Sequence, residues 1–318
     1  MSPQALGAPL AQPLLDKLAI VGLGLIGASI CRVARAQNLA HTIVGADADD
    51  GVRRRASEID LVDSVAATAA EAAENADIVI LCTPVGAMAS IMREIAPVLK
   101  PGAIVSDVGS SKVSVLTDLA ALVPAHAHLV PGHPVAGTEY SGPDAGFATL
   151  FVKRWVILTP PPETDAGAVA RLTDFWTAAG ADVETMSAQH HDIVLAITSH
   201  VPHLIAYNIV RTAADLETVT QSEVMKFSAG GFRDFTRIAA SDPTMWRDVF
   251  LNNRDAVLEV LGRFNEDLAS LQRMVRDGDG QGLFDLFTRT RAIRRGIIAQ
   301  GQDSSEPDFG RRRSELRV

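Results

Sequence analysis

The segment KLAIVGLGLIGASI, residues 17–30, places three glycines between an apolar run and a helical pattern. The apolar residues before Gly22 predict a buried strand, and residues 25–37 have the spacing of an amphipathic helix. Gly22, Gly24 and Gly27 form the pattern G-x-G-x-x-G, which permits a tight turn, a close approach of a pyrophosphate to the backbone, and close packing of helix on strand. The segment therefore predicts the dinucleotide-binding turn of a doubly wound α/β sheet.

An acidic residue stands at the distance from this turn that dinucleotide recognition requires. Asp47 closes the second predicted strand, HTIVGAD, about 20 residues after Gly27. A carboxylate there accepts a hydrogen bond from the ribose 2′-hydroxyl of NAD and repels the 2′-phosphate of NADP. The arginines at 53–55 are either a phosphate site or a solvated helix face. We predict NAD as the cofactor, with NADP less favoured. The other expected cofactor contacts are Leu25, Ile26, Thr83 and Pro84.

Apolar runs alternate with helical patterns along the first part of the chain. The further candidate strands are at 76–85, 102–109, 128–134, 154–160 and 181–186, with a helical pattern at 164–179. This alternation predicts a mostly parallel sheet in a Rossmann-type arrangement. After about residue 187 only helical periodicity remains. The predicted organisation is a loose leader (1–16), an NAD-binding domain (17–186), an all-helical domain (187–300) and a mobile tail (301–318).

Charge, cysteine usage and hydropathy exclude several classes of partner. The net charge of −9 argues against binding to nucleic acid or to an anionic membrane, because both would repel it. No apolar run approaches the 18 residues of a membrane span, and the amino-terminal residues lack the pattern of a signal peptide. Cys31 and Cys82 are the only cysteines, and each lies in an apolar run. Two lone thiols predict a reduced, cytoplasmic protein.

The stretch PGHPVAGTEYSG, residues 131–142, is the strongest candidate for a catalytic loop. It holds His133 between Gly132 and Pro134, and histidine suits proton transfer because its pKa lies near neutral pH. DVGSSK (107–112) also follows a predicted strand, so both segments should open at the carboxyl edge of the sheet, where ligands bind. A serine from DVGSSK could orient His133, and either Ser110 or Ser111 could be that serine.

The remaining histidines are weaker candidates. Those expected at the surface or near a helix cap are His41, His126, His128, His190 and His191. His200 and His203 form an H-x-x-H pair, but no third ligand is evident, so we expect no metal site. They are better candidates for polar residues that face a pocket from a helix broken at Pro202.

A second informative stretch, GGFRDFTRIAASDPTMWRD, covers residues 230–248. Its notable side chains are Arg233, Asp234, Arg237 and Trp246, near a predicted helix end at Pro243. Taken alone, the pattern fits a helix with solvated charges and one core tryptophan. The functional alternative is a carboxylate clamp, because the planar guanidinium of arginine matches a carboxylate with two parallel hydrogen bonds.

Taken together, these motifs resemble the prephenate/arogenate dehydrogenase family of tyrosine biosynthesis, from about residue 18 to about residue 295. The resemblance implies an NAD-dependent oxidoreductase that converts prephenate, L-arogenate or both to 4-hydroxyphenylpyruvate or L-tyrosine with loss of carbon dioxide. It also implies that the helical region is a dimerisation domain, so we expect a homodimer. The motifs that carry the resemblance are GLGLIG, ILCTPV, SDVGSSK, PGHPVAGTEYSG, TSHVPH and FRDFTRIAASDPTMWRDVFLNN.

The resemblance also implies roles for individual residues. His133 matches the family's base, which bonds the ring 4-hydroxyl, and Arg237 matches the arginine that binds a substrate carboxylate. Ser110, at the fourth position of the motif that begins at Asp107, matches the supporting serine. The other positions expected around the pocket are Thr138, Glu139, His203, Asp234 and Trp246.

Two other functions compete with this interpretation. A β-hydroxyacid or imine-type dehydrogenase would place a lysine in the helical domain, but the helix at 190–212 contains none. A non-catalytic dinucleotide-sensing protein could dispense with His133, Ser110 and Arg237, all of which are present. The choice between prephenate and arogenate stays open. The stretch after residue 295 is too short for a fused mutase or regulatory domain, so any inhibition by tyrosine is expected at the active site.

Overall fold

The computed structural model describes residues 6–138, 140–217 and 229–299. Two predicted features, the pocket residue Glu139 and the tail 301–318, lie outside the described residues. The described part of the predicted leader is tied to the main body of the chain. The Leu10 amide donates to the Gln37 carbonyl at 3.0 Å, and the Asn38 side chain donates to the Leu10 carbonyl at 3.0 Å.

The first part of the chain alternates strands with helices, as predicted. Its first eight elements are β1 (Leu15–Val21), α1 (Leu25–Ala36), β2 (Ala40–Ala46), α2 (Asp50–Glu58), β3 (Ser64–Ala66), α3 (Ala69–Ala73), β4 (Ile78–Leu81) and α4 (Val85–Ile95). The next seven are β5 (Ile104–Asp107), α5 (Val113–Leu119), β6 (His128–Leu129), β7 (Gly132–Pro134), β8 (Trp155–Leu158), α6 (Ala166–Ala178) and β9 (Asp182–Thr185).

The main sheet has six strands in the order β3-β2-β1-β4-β5-β6, and every neighbouring pair is parallel. The strand order reverses between β1 and β4, and in such sheets ligands bind at the carboxyl ends of the strands beside this reversal. The predicted doubly wound fold is confirmed. The strand β3 was not predicted, because Ser64–Ala66 is too short for its alternation to stand out from a loop.

A second, three-stranded sheet corrects the expectation that His133 lies in a loop. The predicted strand at 128–134 is divided at Pro131, which cannot donate a ladder hydrogen bond, into β6 and β7. Strand β7 leaves the main sheet and pairs antiparallel with β8, with His133 opposite Ile157. The imidazole is therefore carried by a hydrogen-bonded strand, which restricts its backbone more strongly than a loop would.

Two apolar layers cover the faces of the main sheet. All four residues of β4 are buried, as expected for a central parallel strand covered on both sides. On one face α6 contributes Phe175 and Trp176, both fully buried, and the Trp176 ring meets the Phe151 ring edge-on at 5.2 Å. Burial of each such aromatic side chain stabilises the fold by roughly 1.5–3 kcal/mol.

The second part of the chain is helical. It comprises α7 (Ala188–Leu195), a π-helical turn (Ala196–His200), α8 (Val201–Glu217), α9 (Gly230–Thr236), α10 (Pro243–Asn252), α11 (Arg254–Asp277) and α12 (Gly280–Ala299). By packing, the chain divides into two compact units. The first holds the residues up to Pro202 together with Ala240–Val257, and the second holds His203–Ala239 together with the residues from Leu258 onward.

Neither of the two prolines singled out in the helical region breaks or ends a helix, which corrects two expectations. The helix at Pro202 is not broken: the Val201 amide donates to the Ala196 carbonyl, so one wide turn leads into α8. Pro243 is the first residue of α10, and the Asp242 side chain caps this helix by accepting from the Met245 amide. A proline fits the first turn of a helix, where its missing N–H would have no helical partner.

One helix also contradicts the expectation that no segment resembles a membrane span. The continuous stretch Ala188–Leu216 is long and apolar enough to cross a membrane by length and composition, with a mean hydropathy of 1.5 over its best window. Core helices of globular proteins pass the same test. In this helix 28% of the window is buried, and its buried residues include His191 and Asp192, which are hydrogen-bonded to protein.

Candidate active site

The glycine turn has the geometry that a dinucleotide needs. Gly22 has a φ of 99°, and a Cβ there would overlap the carbonyl oxygen of Cys82; a Cβ at Gly27 would overlap the Gly22 carbonyl. A Cβ at Gly24 would meet no protein atom within 4 Å, so this position faces open space. Gly24 caps α1 without any side-chain hydrogen bond, which leaves the first amides of the helix available to a phosphate. The residues present therefore fit the pyrophosphate of NAD.

Asp47 braces the same turn. Its carboxylate accepts from the Leu23 amide at 2.8 Å and from the Asp49 amide at 3.0 Å. A carboxylate has about four acceptor sites, so two remain for a ribose. Among the arginines at 53–55, Arg53 donates to the Asp47 carbonyl and pairs with Asp50. Because Arg53 is already bound to these two groups, the arginines at 53–55 are better interpreted as a solvated helix face than as a phosphate site.

The end of β4 completes the predicted cofactor edge. A Cβ at Gly22 would lie 3.1 Å from the Thr83 methyl group, so Thr83 stands directly beside the glycine turn. The buried Thr83 hydroxyl has no partner among the described residues, and Pro84 caps α4. Leu25 and Ile26 are half-buried in the first turn of α1. These positions agree with their predicted contacts, which remain predictions.

His133 lies on β7, is 8% exposed, and is hydrogen-bonded to a second histidine. Its Nδ1 atom is 2.8 Å from Nε2 of His191. Burial, followed by the charges of His191, Lys112 and His200, holds the pKa of His133 well below its ordinary value of 6.5. The imidazole is therefore neutral at neutral pH, which is the form that can accept a proton.

His191 continues this chain of hydrogen bonds to a carboxylate. Its Nδ1 atom is 2.8 Å from Oδ1 of Asp192. Burial lowers the pKa of His191, and the adjacent Asp192 carboxylate opposes that shift. Asp192 is held in turn by the start of α5, where Oδ1 accepts from the Lys112 amide at 2.7 Å and Oδ2 accepts from the Val113 amide at 2.9 Å.

A buried ion pair clamps the peptide that precedes His133. The Lys112 ammonium is fully buried; it bonds the Asp107 carboxylate and donates to the Gly132 carbonyl at 2.8 Å. The other Asp107 oxygen accepts from the Gly132 amide at 3.2 Å. The amide of Gly132 is thus bound to the last residue of β5, and its carbonyl is bound to Lys112 at the start of α5. Burial lowers the pKa of Lys112, and the charge of Asp107 opposes this.

The two serines of the DVGSSK segment differ in exposure. Ser110 is half-buried, whereas Ser111 is fully buried and its hydroxyl has no partner among the described residues. Only the half-buried hydroxyl is open to a ligand without a rearrangement of the core. The structure therefore favours Ser110 as the serine that meets a substrate.

Trp246 is a core residue of the first unit, next to a third buried histidine. Its ring lies 6.1 Å from the ring of His200 at an interplanar angle of 77°, and 5.5 Å from that of Phe250. His200 belongs to the π-helical turn, and its Nδ1 atom is 3.0 Å from the side-chain nitrogen of Asn253. Isolated π-helical turns are often found at functional sites.

The other predicted pocket residues are distributed between the two units. Thr138 in the first unit is half-buried, and its hydroxyl accepts from the Tyr140 amide at 3.2 Å. His203, Asp234 and Arg237 belong to the second unit, where His203 is half-buried and the other two are exposed. The described residues contain no group of three or more His, Cys, Asp or Glu side chains that could hold a metal ion.

Sequence reasoning missed the residues that support His133. His191 was expected near the surface but is fully buried, and neither Asp192 nor Lys112 was considered as part of the site. A usable signal was present in α7, where the buried positions are Ala188, His191, Asp192 and Leu195. That spacing of three to four residues marks the inward face of a helix, so His191 and Asp192 could have been assigned to it.

Comparison with known proteins gives matches along nearly the whole chain. A family model described as "Prephenate dehydrogenase, nucleotide-binding domain" matches residues 30–185, and one described as "Prephenate dehydrogenase, dimerization domain" matches residues 187–289. A cyclohexadienyl dehydrogenase of Zymomonas mobilis is 44% identical over 277 residues, which cover 87% of this chain and 94% of that protein. A prephenate dehydrogenase of Bacillus subtilis is 33% identical, with coverage of 89% and 76%.

Solved structures agree with these matches. Prephenate dehydrogenase from A. aeolicus, crystallised with hydroxyphenyl propionate and NAD+, has a TM-score of 0.83 and 32% identity, and the alignment covers 89% of this chain and 98% of that one. Arogenate dehydrogenase from Synechocystis has a TM-score of 0.76 and 27% identity, with coverage of 88% and 99%. The similarity therefore includes both the sheet and the helical region.

Proposed function

The chain belongs to the prephenate dehydrogenase family and is an NAD-dependent dehydrogenase, and we propose that His133 is the base that takes the ring hydroxyl proton of its substrate. The substrate is prephenate, L-arogenate or both. The observation that carries the role of His133 is its arrangement: a buried, neutral imidazole on a strand, hydrogen-bonded through Nδ1 to His191.

The proposed chemistry balances without a metal. When bound, the nicotinamide of NAD supplies the acceptor for the hydride that leaves ring C4. His133 takes the proton of the hydroxyl group on that carbon. The bond from the ring to its carboxylate breaks, carbon dioxide leaves, and the electron pair of that bond makes the ring aromatic. His133 then returns its proton to the phenolic oxygen, so the base ends in its starting state.

The remaining residues are proposed to bind and orient the substrate. Ser110 is half-buried near the end of β5, and we propose that it bonds the same hydroxyl group or the imidazole. Arg237 offers a guanidinium to a carboxylate, which it can bind with two parallel hydrogen bonds. We assign no order of importance to the other pocket positions: Thr138, Glu139, His203, Asp234 and Trp246.

We also propose that the protein is a homodimer that pairs through its helical region. The long helices α11 and α12 carry large apolar side chains that are more than half exposed, among them Leu258, Val275, Phe284 and Phe287. Large apolar side chains left exposed along long helices are expected where a second subunit covers them. The matched dimerization model, which spans residues 187–289, supports the same proposal.

Two further assignments follow from the same observations. We place the boundary between the NAD-binding and helical domains at residues 186 and 187, supported by family matches that end at 185 and begin at 187.

We place the protein in the cytoplasm, where thiols stay reduced. Both cysteines are free, and burial raises the pKa of the Cys31 thiol to about 12.

Steady-state kinetics with prephenate and L-arogenate, each with NAD and NADP, test the function. We expect NAD to be reduced with at least one substrate, and failure with both would overturn the assignment. His133→Asn should lower kcat by about 10²–10⁴-fold, the range for loss of a general base, with NAD affinity unchanged. An intact kcat would remove His133 as the base.

Arg237→Gln separates substrate binding from chemistry. We expect a higher KM for the cyclohexadienol with a smaller change in kcat, because the lost contact is present in both the bound substrate and the transition state. The affinity for NAD should not change, and direct titration with NAD checks this. A variant with an unchanged KM would show that another group binds the carboxylate.

A further inference from the structure

Three buried side chains form a continuous hydrogen-bonded line that ends at the proposed base. His133, His191 and Asp192 are 8%, 0% and 3% exposed, and each of the two contacts along the line is 2.8 Å. His133 uses Nδ1 for its contact with His191. Its second ring nitrogen, Nε2, has no hydrogen-bond partner in the described part of the chain. The line therefore connects an interior carboxylate to the nitrogen that can face a substrate.

The carboxylate at the far end determines where each proton lies. An ionised carboxylate only accepts hydrogen bonds, so Nδ1 of His191 must carry the proton that it donates to Asp192. In the neutral ring, Nε2 of His191 is then an acceptor. Nδ1 of His133 must therefore donate to it, and the lone pair of His133 lies on Nε2. A reversal of either ring would place two acceptors or two donors against each other.

Asp192 is well held for this purpose. Its carboxylate accepts from the amides of Lys112 and Val113 at the start of α5, and its own carbonyl accepts from the Asn253 side chain at 2.8 Å. Hydrogen bonds from backbone amides favour the ionised form of a carboxylate. The acceptor that orients both histidine rings is thus fixed by backbone contacts from one helix and a side chain from another.

We propose that His191 is a positioning residue that holds His133 in the tautomer with a free lone pair on Nε2, under the control of Asp192. This proposal rests on the role of His133 as base. When His133 gains the substrate proton, its Nδ1–H still donates to His191, and the negative charge of Asp192 lies at the end of the line. The arrangement is therefore suited to both protonation states of the base.

Other charged groups face the pair without changing this assignment. The charged or titratable groups around His133 are His191, Lys112 and His200. Those around His191 are Asp192, Lys112 and Asp107. The ammonium of Lys112 is bonded to Asp107 and to a backbone carbonyl, so it does not compete for either ring nitrogen. Among the described residues, Asp192 alone is bonded to Nδ1 of His191.

A pair of substitutions at one position tests the proposal. His191→Gln supplies an amide oxygen that can accept from His133 and an amide N–H that can donate to Asp192, so it can preserve the tautomer. His191→Leu has similar volume but neither group. We expect His191→Leu to lower kcat by about 10–100-fold, as for the loss of other orienting partners, and His191→Gln to recover most of that loss. Neither should alter NAD affinity.

The pH profile supplies a readout that a packing defect would not move. In the proposed arrangement, Nδ1–H of the protonated His133 donates to Nε2 of His191, and this hydrogen bond favours the protonated form of the base. The acidic limb of kcat/KM should therefore move to lower pH in His191→Leu and stay close to its original position in His191→Gln. Equal loss of kcat in the two variants, or a full kcat in His191→Leu, would overturn the proposal.

The tautomer can also be read directly in the unaltered protein, which covers the case in which a variant fails to fold. Nitrogen-15 NMR of the histidine side chains at neutral pH should show His133 protonated at Nδ1 and unprotonated at Nε2. The reverse pattern would contradict the proposal even if both variants were inactive. The NMR result and the role of His133 as base are tested separately. A fully active His133→Asn would refute that role even if the NMR spectrum of the unaltered protein showed the expected tautomer.

Discussion

Removal of the buried Lys112 ammonium should be the most damaging single change to the proposed site that does not touch its histidines. Lys112→Met keeps the length of the side chain but leaves the Asp107 carboxylate, which is 1% exposed, without its counter-charge. It also removes the donor to the Gly132 carbonyl, beside His133. Among the described residues, Asp107 would keep two donors, the amides of Gly109 at 2.8 Å and Gly132 at 3.2 Å.

Loss of one partner of a buried ion pair costs about 3–5 kcal/mol, because the remaining charge is uncompensated. In a domain of roughly 200 residues each kcal/mol lowers Tm by about 2–4 °C. We therefore expect Lys112→Met to melt about 6–20 °C below the unaltered protein, measured by calorimetry and by urea unfolding. The free Gly132 carbonyl should also loosen β7, so kcat should fall in the molecules that remain folded.

Lys100→Met is the matched control, because Lys100 also pairs with an aspartate, at 2.8 Å from Asp77, but is partly exposed. Asp77 would keep Arg171 at 3.1 Å and two backbone amides, so the loss should stay below about 1 kcal/mol. Addition of Asp107→Asn to Lys112→Met should restore part of the lost stability, because it removes the orphaned charge. If Lys112→Met and Lys100→Met were destabilised equally, the argument from the buried pair would fail.

Two further predictions concern the glycine turn and the buried histidines. Gly24→Ala should leave Tm unchanged but weaken NAD binding, because the added methyl group would stand in the open space beside the glycine turn. Gly22→Ala, at a φ of 99°, should instead lower the free energy of unfolding by more than about 1 kcal/mol. Titration with NAD and thermal unfolding check both variants, and full NAD affinity in Gly24→Ala would contradict the prediction for that variant. The pKa values of His133 and His191 are lower in the folded protein than the 6.5 of the unfolded chain, so the unfolded state binds more protons as the pH falls. Urea unfolding should show full stability above pH 6.5 and a decline below it, by about 1.4 kcal/mol for every tenfold difference in proton affinity between the unfolded and folded states. A flat profile between pH 8 and 5 would be inconsistent with the two buried neutral rings.

Local patterns were sufficient for the dinucleotide half of the fold. The glycine turn, the apolar runs on both sides of it and the acid Asp47 all lie within a short stretch of chain, so each could be recognised without knowledge of distant contacts. The strand β3 and the pairing of β7 with β8 could not. The first is too short to show a period, and the second depends on where the chain runs after Pro131.

The site was predictable only in part for the same reason. His133 and Ser110 stood in motifs whose local composition marked them. The preference for Ser110 over Ser111 is supported by burial, which a sequence of two adjacent serines does not reveal. Trp246 was expected either as a core residue or as a pocket residue, and it is buried beside His200.

The sequence by itself therefore determined the parallel nucleotide-binding sheet, the helical second half and the histidine that we propose as the base, because each depends on neighbouring residues. The tertiary structure alone decided what supports that histidine. His191 lies 58 positions from His133, and Asp192 lies 80 positions from the Lys112 amide that it accepts from. Contacts over such separations form only when α7 packs beside α5 and β7, and no local pattern specifies which side chains then meet.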